Sequence, residues 1–170
     1  MGTRTAVFQE QEDGTYLGFY VHYDGYPEGV GETLYNHYSN REKVKKLIDE
    51  KCPLSALGKL NIIIDNADSF EMRKEDSDLG HQFCVRSGHS DRKEYFKAKS
   101  LEQIRKETYL TLNGQDEVKG FTSIENDEFI FKAYQGSDNN GYLYVQDING
   151  QWLISEYEED SYTFKPFELL

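Results

Sequence analysis

Two groups of β-favouring residues stand on either side of a polar stretch in the first two dozen residues, namely Thr3, Thr5 and Val7 before it and Tyr16, Phe19 and Val21 after it. The segment "TRTAVFQEQEDGTYLGFYVHYD" therefore predicts two β-strands joined by a turn at Asp13-Gly14. Pro27, together with Gly25 and Gly29, ends the second strand. The chain is thus expected to begin with a β-hairpin.

Helical spacing follows the hairpin. "GVGETLYNHYS" predicts a short helix, and "NREKVKKLIDEK" predicts a clearer one that Asn40 caps and Pro53 ends. The expected inward-facing residues are Val30, Leu34 and Tyr38 in the first helix and Val44, Leu47 and Ile48 in the second. "PLSALG" suggests a further helical turn, and Leu60 to Ile64 suggests a strand.

The C-terminal part returns to strand spacing. After an amphipathic helix that begins near Leu101 and includes Ile104, the segments "DEFIFKAYQ", "GYLYVQD" and "QWLISEY" alternate like strands. We therefore expect a single α+β domain over residues 1–170. It has an N-terminal β-hairpin, two or three helices and a C-terminal antiparallel meander, in one sheet with helices on one face.

Composition narrows the class of protein. The 170 residues are 37% hydrophobic and include 13 tyrosines and 10 phenylalanines, which argues against disorder despite a net charge of -12. The sequence contains neither a run of apolar residues as long as a membrane span nor a signal-peptide pattern, so we expect a soluble intracellular protein.

Cys52 and Cys84 are expected to be reduced thiols. His81 and His89 could join them around zinc, but paired ligand spacing is missing, so we expect neither metal nor cofactor.

The negative charge is concentrated near the C-terminus. Residues 122–170 contain ten acidic and two basic side chains, a net charge of -8, whereas the preceding 121 residues sum to -4. The candidate residues for an acidic partner-binding surface are Asp138, Asp147, Glu156, Glu158, Glu159 and Asp160. The ordinary interpretation of such a surface is solubility, and the functional one is attraction to a basic partner.

The segment "YVHYDGYPEGVGETLYNHY", from Tyr20 to Tyr38, is the candidate for a ligand pocket. A helix N-terminus with nearby glycines lets an anion approach unpaired backbone N–H groups. The candidate ligand-binding residues are Arg4, His22, Asp24, Tyr26, Gly29, Gly31, His37 and Arg92. The structural alternative is a corner in which the glycines and the proline only shape the turn.

Motifs of common enzymes are missing from the sequence. It contains no GxSxG, HExxH, calcium-loop or dinucleotide-binding pattern. His22 or His37 could act as an acid–base in a phosphodiester hydrolase, but no second carboxylate or metal motif accompanies them. We therefore expect a protein that is not an enzyme.

Several motifs resemble a group of bacteriophage and prophage proteins, most of them uncharacterised. The likeness lies in Gly2-Thr3-Arg4, in "HYDGYP" from His22, in His37-Tyr38 and in "PLSALG" from Pro53, and more loosely in the last 20 residues. Thr5 and Tyr23 replace the group's usual Ser and Trp. The resemblance implies viral origin and a shared fold, and small phage proteins of this size often block host defence.

Two functions are therefore considered. The first is a phage anti-defence protein that imitates nucleic acid and occupies the basic channel of a host defence nuclease such as a CRISPR effector. The alternative is a binder that sequesters nucleotide immune signals through the corner that contains Arg4 and His22. Both place the protein in the cytoplasm of an infected bacterium without direct nucleic-acid or membrane binding. A homodimer through exposed strand edges is a further alternative.

Overall fold

A computed structural model describes residues 5–50, 54–64, 82–86, 96–102, 104, 119–125, 128–134, 142–156 and 164–168. Residues 96, 119–125, 128–134 and 156 are described by their backbone. Among all these residues, no helix has the length and apolar character needed to cross a membrane.

The elements follow one another in an α+β order, as expected. The strands are β1 (Thr5–Glu10), β2 (Tyr16–Val21), β3 (Leu54–Ala56), β4 (Ile63–Ile64), β5 (Cys84–Arg86), β6 (Phe96–Ala98), β7 (Lys119–Glu125), β8 (Glu128–Tyr134), β9 (Tyr142–Gln146), β10 (Trp152–Glu156) and β11 (Lys165–Pro166). A π-helical turn (Pro27–Gly31) leads directly into α1 (Glu32–His37), and α2 (Arg41–Asp49) follows. Residues 101, 102 and 104 are also helical.

All the described strands belong to one mixed sheet. β1 and β2 form the expected antiparallel hairpin, in which Thr5 pairs with Val21 and Glu10 pairs with Tyr16. On the side of β1 away from β2, β9 pairs parallel with β1. β10 then pairs antiparallel with β9, and β11 pairs antiparallel with β10. On the β2 side, β3 pairs parallel with β2, and β6 pairs antiparallel with it.

The C-terminal strands form antiparallel pairs, as expected, but these pairs are not adjacent in the sheet. β7 pairs with β8, and β9 pairs with β10, each in antiparallel orientation. β8 then pairs parallel with β6, whereas β9 pairs parallel with β1. The N-terminal hairpin therefore lies between the two pairs. Strand periodicity predicts that these segments are strands, but it carries no information about which neighbour each one selects.

Both faces of the sheet are buried, because successive apolar side chains along a strand point to opposite faces. One face packs on the helices through a cluster that includes Val7, Phe19, Val21, Leu34, Leu47, Tyr144, Trp152 and Ile154. The other face contributes Ala6, Phe8, Tyr20, Leu143 and Val145, which cluster with Ile104. The predicted inward residues of α1 and α2 are all buried on the first face, whereas Ile104 covers the second.

The local signals in the sequence are confirmed at the hairpin turn and at the start of α2. Gly14 adopts a positive φ of 86°, which favours glycine, and Asp13 accepts hydrogen bonds from the backbone N–H and the hydroxyl of Thr15. The Asn40 side chain accepts a hydrogen bond from the Glu42 N–H at 2.9 Å.

The helical turn expected at "PLSALG" is wrong, because Leu54–Ala56 form strand β3 and none of the segment's described residues is helical. Leu54 and Ala56 are buried while Ser55 between them is half-buried, which is the alternation of a strand. Pairing with β2 and β5 satisfies this short backbone better than one isolated helical turn would. The next strand is also shorter than expected, since β4 covers only Ile63–Ile64.

Two buried glutamines connect the sheet to the junction between α1 and α2. Gln9 and Gln146 are 1% and 0% exposed, and Gln9 Nε2 donates to Gln146 Oε1 at 3.0 Å. Gln9 also donates to the Arg41 carbonyl oxygen, and Gln146 Nε2 lies 3.2 Å and 3.1 Å from the carbonyl oxygens of Tyr38 and Ser39. We call Gln9 and Gln146 the glutamine clamp.

Gln146→Leu is expected to lower the free energy of unfolding by about 2 kcal/mol, because it removes the buried hydrogen bond with Gln9 Nε2 and the donor to the Tyr38 and Ser39 carbonyl oxygens. Chemical denaturation followed by circular dichroism measures the change. The matched control is Gln151→Leu at an exposed position, for which we expect a change within about 0.5 kcal/mol. Equal stability of the two variants would contradict a structural role for the clamp.

Candidate functional site

A groove of about 520 Å³ lies at the corner where the chain leaves β2 and enters α1. One wall comes from the corner itself and the other from the residues at the end of β3 and just after it. The lining residues are Tyr23, Asp24, Tyr26, Glu28, Gly29, Val30, Glu32, Thr33, Asn36, His37, Ala56, Leu57 and Lys59. The segment singled out by its composition is therefore both a structural corner and one wall of a cavity.

The backbone of the corner satisfies its own hydrogen bonds. Asp24 has a positive φ of 63°, and its carbonyl oxygen accepts from the Val30 N–H at 2.7 Å. The Tyr26 carbonyl oxygen accepts from the N–H groups of Gly29 and Gly31 at 3.0 Å and 3.4 Å. Because these donors at the start of the helical segment are already engaged, they do not form the anion cradle that the sequence suggested.

The two glycines serve packing rather than ligand access. A Cβ on Gly29 would lie 2.3 Å from the carbonyl oxygen of Asp24, so only glycine allows this close approach of backbone to backbone. A Cβ on Gly31 would lie 3.0 Å from both the Tyr144 hydroxyl and the Phe167 ring. Gly31 therefore faces the core and does not line the groove.

The structure brings together four of the candidate ligand-binding residues and separates others. Asp24, Tyr26, Gly29 and His37 line the groove, whereas His22 does not. His22 Nδ1 lies 2.6 Å from the hydroxyl of Tyr20, whose side chain packs in the cluster on the other face of the sheet. Arg4 and Arg92 lie outside the described residues.

The start of the groove is acidic. Asp24, Glu28 and Glu32 contribute three carboxylates, and the Tyr26 hydroxyl donates to Asp24 Oδ1 at 3.1 Å. This hydrogen bond, followed by the negative charges of Asp24 and Glu28, raises the pKa of the Tyr26 hydroxyl. The local charge therefore favours a cation at this end of the groove and opposes a phosphate.

The far end of the groove is weakly basic. Burial lowers the pKa of His37, and the positive charges of Lys59 and Lys43 lower it further. Lys43 Nζ donates to the carbonyl oxygens of both His37 and Lys59 at 2.6 Å, which ties α1 to the segment after β3. At about 1.5 Å per residue, Gly29 and His37 are about 12 Å apart along the helical wall.

Two tyrosine rings in the groove are open to solvent. Tyr23 and Tyr26 are 45% and 38% exposed. The Tyr23 ring meets the His22 imidazole edge-on at 4.5 Å between ring centroids. Exposed aromatic rings beside carboxylates offer a flat apolar surface and negative charge together, which suits an organic cation.

Sequence reasoning did not identify most of the groove. The additional lining residues are Tyr23, Glu28, Val30, Glu32, Thr33, Asn36, Ala56, Leu57 and Lys59. The four-residue spacings of Glu28 with Glu32 and of Thr33 with His37 were a usable signal, because such pairs share a helix face. Lys59 had no such signal, since the pairing of β3 with β2 brings its segment to the groove.

Asp147 has a structural role in addition to its charge. Its Oδ1 accepts hydrogen bonds at 2.9 Å from the N–H groups of Asn149 and Gln151, and this carboxylate therefore holds the turn between β9 and β10. Glu156 ends β10 and is described by its backbone. The other acidic-surface candidates, Asp138, Glu158, Glu159 and Asp160, lie outside the described residues.

The described residues include one member, Cys84, of the zinc site and of the pair of reduced thiols considered from the sequence. There, no three side chains of His, Cys, Asp or Glu are grouped to hold a metal. Burial raises the pKa of the Cys84 thiol, whose sulfur lies 3.3 Å from the Gly58 N–H. A protonated, buried thiol of this kind is a packing group. Cys52, His81 and His89 lie outside the described residues.

Gly29→Ala is expected to lower the free energy of unfolding by about 2 kcal/mol, because the new methyl group collides with the Asp24 carbonyl oxygen. Thermal and urea unfolding measure this loss. Asn36→Ala, at an exposed groove position on α1, is the control and should change stability by less than about 0.5 kcal/mol. If Gly29→Ala were as stable as the wild-type protein, the backbone of the corner would be able to move aside for a methyl group, and the requirement for glycine would be contradicted.

His37 is expected to titrate below its ordinary pKa of 6.5 in the folded protein. The contribution of this group to stability is therefore complete above about pH 6.5 and decreases as the pH falls, because the unfolded chain binds the proton more readily. Two-dimensional NMR of the imidazole nitrogens measures the pKa. Lys59→Gln should raise the pKa of His37, because it removes a neighbouring positive charge. A pKa of His37 at or above 6.5 in the wild-type protein would contradict the predicted effect of burial and of the neighbouring lysines.

Comparison of the chain with protein-family models, curated proteins and solved structures gave no match. Its function is therefore proposed from the groove residues and the distribution of charge.

Proposed function

We propose that this chain is a non-enzymatic phage anti-defence protein that binds and inhibits a host defence nuclease such as a CRISPR effector. The observation that carries the proposal is the net charge of -8 in residues 122–170. A channel built for nucleic acid is lined by lysine and arginine, so a dense acidic surface competes for the same positive charges.

The described residues add support for a basic partner. Glu28 and Glu32 are exposed, and together with Asp24 they make the start of the corner groove negative. The acidic character is therefore present in two parts of the chain that are far apart in sequence. Two negatively charged regions on one small protein strengthen the attraction to an extended basic surface, and salt weakens this attraction.

The nucleotide-binding alternative has two observations in its favour and two against it. The groove is large enough for a small ligand, and Tyr23 and Tyr26 could stack on a base. However, the phosphates would meet the carboxylates at the start of the groove, and the N–H groups of Gly29, Val30 and Gly31 are engaged. The charges in the described groove therefore favour the first function.

Neutralising the acids at the C-terminus tests the proposed function. The test variant carries Glu156→Gln, Glu158→Gln, Glu159→Gln and Asp160→Asn, and it should lose inhibition in cleavage assays with purified CRISPR effector nucleases. Inhibition by the wild-type protein should also weaken by about tenfold or more between about 0.05 M and about 0.3 M salt.

The control variant removes the same number of charges from exposed positions elsewhere, namely Glu12, Glu42, Glu50 and Glu102, each changed to Gln. It should inhibit like the wild-type protein. Equal loss in both variants would mean that net charge alone acts, and full inhibition by the test variant would overturn the proposal. Native mass spectrometry that finds a retained nucleotide would instead favour the alternative function.

A further inference from the structure

We propose that the corner groove binds an arginine or lysine side chain presented by a segment of the partner protein. The inference deepens the proposed function and rests on it in one respect, namely that the partner is a basic protein. Its own support is the groove, in which a cavity, two exposed aromatic rings and three carboxylates coincide.

The interior of the groove suits the aliphatic stem of such a side chain. Val30, Ala56 and Leu57 are among its lining residues, and the small part of each that remains open contributes apolar atoms between the polar edges. Lysine and arginine commonly pack their methylene groups on apolar surface while the charged head meets polar groups. A metal ion or a small inorganic ion would make no use of these apolar atoms.

The charged head has a defined place at the start of the groove. The hydrogen bond from the Tyr26 hydroxyl to Asp24 Oδ1 holds an aromatic ring beside a carboxylate, and Glu28 is close enough to influence the Tyr26 hydroxyl. A guanidinium or ammonium group gains from both the ring face and the carboxylates. Tyrosine is also among the residues that contribute most at protein interfaces.

The positive charge at the far end of the groove favours a protein side chain over a free polyamine as the bound cation. His37 lies there, about 12 Å along the helical wall from Gly29, and Lys59 is close enough to His37 to influence it. A linear polyamine that filled the groove would bring positive charge to this end as well, where the lysine repels it. A protein segment can place one cation at the acidic start and neutral atoms at the far end.

The two glutamates have an ordinary structural role that must be separated from binding. Glu28 lies in the first turn of the π-helical segment and Glu32 in the first turn of α1, where negative charge interacts favourably with the helix dipole. That role explains the charges, but it does not explain why Tyr23 and Tyr26 remain exposed beside them. The test therefore needs a measurement of binding as well as of stability.

The experiment titrates the full ¹⁵N-labelled chain with the peptide acetyl-Gly-Arg-Gly-amide and, separately, with spermidine and inorganic phosphate. We expect the peptide to shift the amide resonances of residues 23–37 and 56–59. Glu28→Gln with Glu32→Gln should weaken peptide binding by about fivefold or more. Glu50→Gln with Glu102→Gln, which removes the same charge from exposed positions elsewhere, should leave it within about twofold.

The outcomes separate this inference from the proposed function. Resonance shifts outside the groove, no binding of the peptide, or an equal loss of binding in the two double variants would overturn the inference. Tighter binding of spermidine or phosphate than of the peptide would also overturn it, because the groove would then suit a different ligand. The variant with four neutralised C-terminal acids should still bind the peptide. If the wild-type chain binds the peptide in the groove but inhibits no nuclease, the proposed function fails and the groove assignment stands.

Discussion

The parallel pairing of β1 with β9 is the contact on which the rest of the structure depends, because it joins the two ends of a long chain into one sheet. Parallel strands require a long connection, and closing it costs conformational entropy that the core must offset. The glutamine clamp supports the pairing at the side-chain level, since Gln9 lies on β1 and Gln146 on β9. The same two residues hold the junction between α1 and α2 through Tyr38, Ser39 and Arg41.

The groove is a consequence of that arrangement. With α1 packed on the sheet, the connection from β2 must turn sharply, and it does so through the positive φ of Asp24 and the close approach of Gly29. The lysine bridge from Lys43 to the carbonyl oxygens of His37 and Lys59 then brings the opposite wall alongside. Carboxylates at one end and a lysine at the other give the cavity an acidic end and a basic end.

Local signals predicted much of the fold because they act within a few residues of one another. The hairpin turn at Gly14, the cap at Asn40 and the buried stripe of α2 all follow from short-range chemistry. The sequence predicts a helical turn where β3 forms, because these three residues gain strand structure from β2 and β5, which are distant in the sequence. Likewise, the sequence predicts that His22 and Asp24 share a ligand pocket, whereas the His22 imidazole contacts the Tyr20 hydroxyl and does not line the groove.

The sequence by itself determined the α+β class, the β-strand segments of the hairpin and of the C-terminal part, and the concentration of acids near the C-terminus, since these depend on residue types and their spacing. It also identified the Tyr20 to Tyr38 segment as unusual. Only the tertiary structure decided that β9 lies beside β1 and that Lys59 lines the same groove as Glu28. Strand neighbours and cavity walls come from residues far apart in the chain, and the spacing of residues within one segment carries no record of them.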